Sequence, residues 1–234
     1  MKENGGLVSM IRRTLNQQLF ADFVKSYDVV VWDWNGTLLD DSGHTLKVIS
    51  KILEDEGLPQ ITLEDYRKRF GFPIANYYAS LGLPSEGLEF DRVAHKFVDG
   101  YRSYYNELEL YGDSIELLET VKNLSINQYI LSAAQSDDLK MQMSKFDIMS
   151  YFNDISGATN IYAHGKIDQA KAMKTYFKSK GYVKGLYIGD TDHDFEVSQV
   201  LGYDFCFSKE GHQCVSKIDI TKVCYVLQNR NQFS

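Results

Sequence analysis

A chain of 234 residues is long enough to bury a sizeable core, as one large domain or as a core with a smaller insert. Its 44% hydrophobic and 24% charged residues are typical of a soluble globular protein, and no apolar run approaches the ~20 residues that cross a bilayer. The net charge of −7 argues against a general nucleic-acid-binding or anionic-membrane surface. We therefore expect no nucleic-acid or membrane partner, and either a monomer or a homodimer.

The cysteines and the N-terminus indicate a cytoplasmic protein. Cys206, Cys214 and Cys224 form an odd, late-clustered set without a C-x-x-C pair, which predicts free thiols in a reducing compartment. Arg12 and Arg13 are not followed by the unbroken apolar stretch of a secretory signal. Apolar residues between positions 9 and 25 recur at helical spacing, which predicts an N-terminal helical extension over residues 1–26.

Four strands are predicted after this extension. The first, Tyr27–Asp33, contains a continuous apolar run that is typical of the middle of a parallel sheet. Comparable strands end at Ser132 and at Asp190, and a weaker strand covers Tyr203–Phe207. Helical patterns lie between them, at Ser114–Lys122 and at Asp168–Lys180. This alternation predicts an α/β fold with a doubly wound parallel sheet and a Rossmann-like core.

One long interval contains helical patterns and no strand. It runs from about His44 to Glu109, and its four helices are predicted at Leu46–Glu56, Leu63–Phe70, Ile74–Leu81 and Phe90–Tyr105. Thr62 and Asp65 are placed to cap the second of them. A stretch of this length is not a loop within a compact domain. We predict a helical cap, residues 43–108, inserted into a core formed by residues 1–42 and 109–234.

Polar residues end the three strong strands, and the segment after the first resembles a known motif. Asp33, Ser132 and Asp190 occupy these ends, where ligands bind in open α/β sheets. Residues 33–38 read DWNGTL, which resembles D-x-D-G-T-L, the first motif of the haloacid dehalogenase-like hydrolases. The resemblance implies that Asp33 attacks phosphorus and forms an aspartyl-phosphate, and that Gly36 and Thr37 help to bind the phosphoryl group.

The other motifs of that family follow in order. Ser132 matches the second motif, which implies a hydrogen bond to a phosphoryl oxygen. Lys166 matches the lysine of the third, whose charge offsets carboxylates and the transferring phosphoryl group. Asp190 and Asp194 match the acidic G-D-x-x-x-D motif. Because Mg²⁺ prefers oxygen ligands, the resemblance implies a magnesium site.

Within that site, the resemblance implies four metal-binding positions. Asp33 and Asp190 bind directly, Asn35 binds through its backbone carbonyl, and Asp194 is a ligand or a support for Lys166 and a bound water. The neighbouring Asp192 and His193 are expected at the solvent surface. The motifs leave the N-terminal extension and the tail after about Ser208 uncovered. Residues 33–37 and 162–166 also resemble members named phosphoglycolate phosphatase-like, so a small phosphorylated substrate of that kind is expected.

Asn35 departs from the family pattern, in which phosphatases have a second Asp as general acid and base. An amide cannot transfer a proton as a carboxyl group does. Four explanations of Asn35 remain open. The enzyme is a natural variant of the phosphatases, or an Asp was replaced by Asn to trap the substrate, or the protein binds a phosphorylated ligand without turnover. In the fourth, the enzyme is a phosphonatase-like carbon–phosphorus hydrolase, whose motif reads D-x-A-G-T. The last needs a cap lysine, for which Lys47 and Lys51 are the candidates. The acidic pair argues against a metal-free dehalogenase, and the motif order argues against a phospho-accepting receiver domain.

Overall fold

The first predicted strand lies at the centre of the sheet in the structure, a computed structural model that describes residues 17–162, 165–228 and 230–231. This strand, β1 (Val29–Trp32), pairs in parallel with β4 (Asn127–Gln135) on one side and β6 (Gly185–Gly189) on the other. All four of its side chains are buried. The continuous apolar run is explained by this position, because both faces of a central parallel strand are covered.

Three more strands complete the six-stranded parallel sheet within the described residues: β5 (Asp154–Ala158), β7 (Asp204–Ser208) and β8 (Tyr225–Leu227). The order of the strands across the sheet is β5-β4-β1-β6-β7-β8. Neither β5 nor β8 was predicted, because each is a short edge strand with residues that are only partly buried and therefore carries no long apolar run. The predicted doubly wound α/β fold is confirmed by the strand order and by helices on both faces.

Five helices cover the two faces of the sheet: α1 (residues 17–24), α6 (Ser114–Asn123), α7 (Ser136–Ser144), α8 (Ile167–Ser179) and α9 (Asp192–Leu201). Val29 and Val31 face α8 and α9, whereas Val30 and Trp32 face the other three. Part of the predicted N-terminal helix is present as α1, and residues 1–16 of that prediction lie outside the described residues. None of the helices in the described ranges combines the length and the apolar composition that a bilayer crossing needs.

Residues 42–102 form four helices, and we call this stretch the helical segment. The helices are α2 (Ser42–Asp55), α3 (Leu63–Arg69), α4 (Ile74–Ser80) and α5 (Gly87–Arg102). Two short antiparallel strands, β2 (Leu39–Asp40) and β3 (Glu109–Leu110), pair where the chain leaves the sheet and returns to it. Thr62 and Asp65 form the predicted capping box at the start of α3.

Candidate active site

Three carboxylates lie together at the carboxyl edge of the sheet. Asp33 follows β1 directly, Asp190 follows β6, and Asp194 is in the first turn of α9. One oxygen from each carboxylate lies within 4.8 Å of the corresponding oxygens of the other two, and all three residues are buried. The adjacency of β1 and β6 in the sheet, together with the short connection from β6 to α9, explains why residues so distant in sequence meet here.

The Lys166 ammonium lies between two of these carboxylates. The residue directly precedes α8, as predicted, and its Nζ lies 2.8 Å from Asp33 Oδ1 and 2.5 Å from Asp194 Oδ1. Burial opposes its charge, but Asp194 and Asp33 together raise the pKa of Lys166 above its usual value. Lys166 is therefore a buried cation next to the predicted nucleophile, where it can stabilise negative charge on a phosphoryl oxygen.

Asp194 accepts hydrogen bonds at both of its oxygens. Oδ1 accepts from Lys166 Nζ and, at 3.1 Å, from the Tyr187 hydroxyl. Oδ2 accepts from the backbone N–H groups of Asp190 and Thr191 and from Thr191 Oγ1 at 2.7 Å. Burial opposes ionisation, but the attraction of Lys166 and these hydrogen bonds hold the pKa of Asp194 below its usual value. This arrangement favours Asp194 as the support of Lys166 over its alternative assignment as a metal ligand.

Negative charge exceeds positive charge in this cluster, with three carboxylates around one ammonium. Burial, followed by repulsion from Asp194, raises the pKa of Asp33 well above its usual value. Burial also raises the pKa of Asp190 to about 6. A divalent cation would balance this excess, and carboxylate oxygens are the ligands that Mg²⁺ prefers. The donor set of Asp33 and Asp190 therefore fits a magnesium ion.

The turn after β1 packs tightly against Asp190. Gly36 has φ of +70°, and a Cβ atom there would lie 2.3 Å from Asp190 Oδ2, so the turn requires glycine. Thr37 Oγ1 donates a hydrogen bond of 3.2 Å to Asp190 Oδ1. Gly36 and Thr37, which the resemblance assigns to phosphoryl binding, therefore also help to position the carboxylate of Asp190, the expected metal ligand.

Ser132 lies beside the cluster, although not at the end of its strand. β4 continues to Gln135, and its pairing with β5 shifts register between Leu131 and Gln135. The predicted strand end at Ser132 is therefore wrong, because the ladder resumes after this irregularity. The Ser132 hydroxyl accepts a hydrogen bond of 3.1 Å from Ala134 N, which leaves its own O–H to donate. Ser132 and Asp33 line the same cavity.

The model of the haloacid dehalogenase-like hydrolase family matches residues 30–207, which run from β1 to β7 and contain all four motifs. The chain belongs to this family. A curated phosphoglycolate phosphatase from Aquifex aeolicus (strain VF5) is similar to it, with 23% identity over 180 residues that make up 74% of this chain and 81% of the relative.

Solved structures of other proteins share the fold of this haloacid dehalogenase-like hydrolase. A haloacid dehalogenase-like family protein from Streptococcus pneumoniae has a TM-score of 0.72 at 18% identity, over 88% of this chain and 96% of its own. Protein Tyrosine Kinase A from Mycobacterium tuberculosis has a TM-score of 0.70 at 17% identity, over 88% of this chain and 96% of its own. Since proteins with such different names share it, the fold alone does not determine the reaction.

Asn35, the departure from the family motif, is bonded to residues outside that motif. Its Nδ2 donates to Asp41 Oδ2 at 2.9 Å and to the Tyr101 hydroxyl at 3.1 Å. The Tyr101 hydroxyl donates in turn to Asp41 Oδ2 at 2.6 Å. A carboxyl group at position 35 would face the Asp41 carboxylate, whereas an amide supplies a donor. The surroundings of Asn35 therefore match an amide.

His212 also belongs to the site, although it lies in the tail that the motifs do not cover. Its backbone N donates to Asp190 Oδ2 at 2.6 Å, and its ring Nε2 lies 3.1 Å from Asp41 Oδ1. Its Nδ1 lies 2.6 Å from the Tyr66 hydroxyl. Burial opposes its charge, but the neighbouring Asp41 and Asp190 raise the pKa of His212 to about 9. The signal that could have identified it is its position just beyond β7, a strand of the same sheet.

Two arginines that the motifs do not include hold the loops around the site. Arg67, from α3, donates through Nε to the Gly211 carbonyl at 2.8 Å. This hydrogen bond links the helical segment to the loop after β7, which contains His212. Arg230 is buried and donates to the Thr37 carbonyl, and its guanidinium lies 2.7 Å from Asp113. The C-terminal tail therefore supports the turn that follows the predicted nucleophile.

His193 is buried, which corrects the prediction that it lies at the solvent surface. Its Nε2 accepts a hydrogen bond of 2.9 Å from the backbone N of Lys166, and its Nδ1 lies 3.1 Å from Glu196 Oε2. A Cβ atom at Gly165 would lie 2.6 Å from His193 Nε2, so this close contact requires glycine. Asp192, also predicted to face solvent, is half-buried and hydrogen-bonded to Gln213.

A cavity of about 150 Å³ lies between the carboxyl edge of the sheet and the helical segment. Asp33, Asn35, Ser132 and Asp190 form one end of it. The helical segment supplies an apolar part of the wall, which includes Phe70, Phe72, Ile74, Tyr78, Phe97 and Val98. The carboxylate cluster therefore lies at a partly open cavity that is large enough to hold a small molecule.

Proposed function

We propose that this chain hydrolyses a small phosphate monoester through an aspartyl-phosphate on Asp33. The observation that carries the proposal is the buried Lys166 ammonium 2.8 Å from Asp33, with the Asp190 carboxylate close to both, at the end of a cavity. Membership in a hydrolase family supports it. Because the curated relative is named a phosphoglycolate phosphatase, 2-phosphoglycolate is the compound with which other candidate substrates are compared.

The proposed reaction has two displacements at phosphorus. The Asp33 carboxylate attacks the phosphorus atom, the bond from phosphorus to the leaving oxygen breaks, and that oxygen keeps the electron pair and takes a proton from solvent to form the alcohol. Water then attacks the phosphorus of the aspartyl-phosphate and gives a proton to solvent, which releases inorganic phosphate and restores the Asp33 carboxylate. The Lys166 ammonium and the Ser132 hydroxyl donate to the phosphoryl oxygens, on which charge accumulates during both displacements.

Asp33 and Asp190, with the backbone carbonyl of Asn35, are the proposed ligands of a magnesium ion. When bound, the ion neutralises phosphoryl charge and orients the transferring group. Asp194 keeps Lys166 charged and in place, and Thr37 orients Asp190. The excess of carboxylate charge in the cluster supports this assignment.

We also propose that residues 43–108 act as a cap on a core made of residues 1–42 and 109–234. Support comes from α4 and α5, which supply several of the residues that line the cavity beside Asp33. A wall of this kind excludes bulk water from the reacting phosphoryl group. It also places the substrate-contacting residues on a part of the chain that is separate from the phosphoryl-transfer residues.

The cavity disfavours the carbon–phosphorus hydrolase alternative, which requires a lysine near the substrate. Lys51 is exposed and paired with Glu54 at 2.9 Å. The Lys47 ammonium lies 5.4 Å from the ring centroid of Tyr104. Neither lysine is among the described residues that line the cavity.

A phosphate-release assay on a panel of small phosphomonoesters, with Mg²⁺ or with a chelator, tests the proposal. We expect magnesium-dependent release that is abolished by Asp33→Asn, while Asp99→Asn, at an exposed carboxylate on α5, retains wild-type activity. Activity that persists in Asp33→Asn would contradict the mechanism. Binding of phosphorylated compounds without any release of phosphate would instead support the ligand-binding alternative.

A further inference from the structure

The chemistry of the cavity wall restricts the leaving group of the proposed substrate. Aromatic and aliphatic side chains from the helical segment line the same cavity as Asp33. Phe97 and Val98 on α5 and Ile74 on α4 are only partly buried, and the cavity takes part of their remaining surface. Such a wall stabilises an apolar group by removing its surface from water.

Two polar side chains in the same wall, Asp138 and Gln142, are bonded within the protein. Asp138 forms a two-point ion pair with Arg102, at 2.9 and 3.1 Å. Gln142 Oε1 accepts a hydrogen bond of 2.7 Å from the Trp34 indole N–H. These partners reduce the hydrogen-bonding capacity that Asp138 and Gln142 present to a ligand.

A second anionic group on the substrate would need a cation in the wall. Among the described residues that line the cavity, there is no lysine or arginine. His212 also lines the cavity, but its two ring nitrogens contact Asp41 and Tyr66 and are therefore already engaged within the protein. A carboxylate in the leaving group would therefore lose its hydration without gaining a charged partner, close to the carboxylates of Asp41 and Asp138.

From this wall we infer that the substrate is the phosphate monoester of a small, uncharged, apolar alcohol, and not of a hydroxy acid such as glycolate. The inference rests on the proposed function and names its substrate class. An engineered apolar cavity of about 150 Å³ holds one benzene molecule. The cavity therefore limits the leaving group to at most a single ring or a chain of a few carbons.

A matched pair of substrates isolates the effect of the distal charge. Benzyl phosphate and 4-carboxybenzyl phosphate share the ring and the reacting carbon–oxygen bond, and 2-phosphoglycolate serves as the reference compound. We expect kcat/KM for benzyl phosphate to exceed both others by at least about tenfold, since pocket contacts of this kind discriminate by ~10- to 200-fold. Equal or reversed preference would overturn the inference while leaving the proposed phosphatase intact.

Binding provides a readout that does not depend on turnover. Benzylphosphonate and 4-carboxybenzylphosphonate, which cannot be hydrolysed as phosphomonoesters, are titrated calorimetrically into the wild-type protein with Mg²⁺. Tighter binding of benzylphosphonate, by about tenfold or more, is expected. Tighter binding of the carboxylated compound would overturn the inference. Failure of the proposed function is a different result, namely no phosphate release from any of the three esters.

A charged substitution in the wall tests the cause of the preference. Val98 lies outside the phosphoryl-transfer residues, so Val98→Lys adds a cation to the wall, and Val98→Met adds bulk without charge. We expect Val98→Lys to shift the kcat/KM ratio towards 4-carboxybenzyl phosphate by about tenfold and Val98→Met to leave it near the wild-type ratio. A shift of equal size in both variants would contradict the charge argument.

Discussion

Asn35→Asp is the substitution whose consequences follow most directly from the structure. Nδ2 of Asn35 lies 2.9 Å from Asp41 Oδ2, so the substitution replaces a donor with an oxygen that faces an acceptor. Two carboxyl groups at this distance do not both ionise readily, and one of them keeps a proton to a higher pH. The variant therefore gains a group that can protonate a leaving oxygen and then activate water.

The contact between position 35 and Asp41 allows the effects of Asn35→Asp on catalytic rate and on stability to be estimated. Restoring general acid–base catalysis raises kcat on an unactivated ester such as benzyl phosphate by about 10² to 10⁴. The gain is smaller on para-nitrophenyl phosphate, whose leaving group needs no proton. Loss of the donor to a buried carboxylate lowers the free energy of unfolding by about 1–3 kcal/mol. Stability and activity are thus expected to change in opposite directions.

Steady-state kinetics on both esters, together with urea denaturation, measure the two effects. Asn35→Ala is the control, because it removes the same hydrogen bonds without adding a carboxyl group, so its stability falls and its rate does not rise. A folded Asn35→Asp protein with an unchanged or lower kcat on benzyl phosphate would refute the reasoning. Asn35 would then participate in a different mechanism.

Three further variants test separate parts of the site. Asp190→Ala should abolish Mg²⁺ binding in calorimetry, whereas Asp192→Ala, two residues away, should retain it; equal loss in both would contradict the assignment of Asp190. Tyr187→Phe removes a hydroxyl 3.0 Å from the Lys166 ammonium and should lower kcat about three- to tenfold without changing KM. Arg230→Ala should lower the free energy of unfolding in urea denaturation by about 2–3 kcal/mol, a moderate loss for an ion pair because Asp113 is only partly buried. Arg230→Lys should lower it by less, because lysine keeps the positive charge. An Arg230→Ala protein as stable as wild type would exclude a supporting role for the tail.

The central strands and their terminal residues could be predicted because their signals are local. A fully buried strand shows a continuous apolar run, and the carboxylates after β1 and β6 stand where such runs stop. Chain order and the parallel arrangement then place these residues at one edge. α9 was not predicted, although Thr191 and Asp194 form a capping box at its start. This capping pattern overlaps the acidic motif, so the same residues carry both a metal-site signal and a helix signal.

The surroundings of Asn35 could not be predicted, because they depend on contacts between distant elements. Asp41, Tyr101 and His212 come from the start of α2, from α5 and from the loop after β7. No spacing or periodicity links them, and the hydrogen bonds that join them are set by the packing of the helical segment on the sheet. His212 and Arg230 lie in the tail after Ser208, which the family motifs do not cover, and their contacts with the site depend on the same packing.

Detection of the covalent intermediate tests the proposed phosphoryl transfer most directly. Protein quenched in acid during turnover of para-nitrophenyl phosphate with Mg²⁺ is analysed by intact mass and by peptide mapping. We predict a single added phosphoryl group on the peptide that contains Asp33, with no such group in Asp33→Asn. Continued release of phosphate with no phosphoryl group on the protein, or with the group on a different residue, would contradict nucleophilic attack by Asp33.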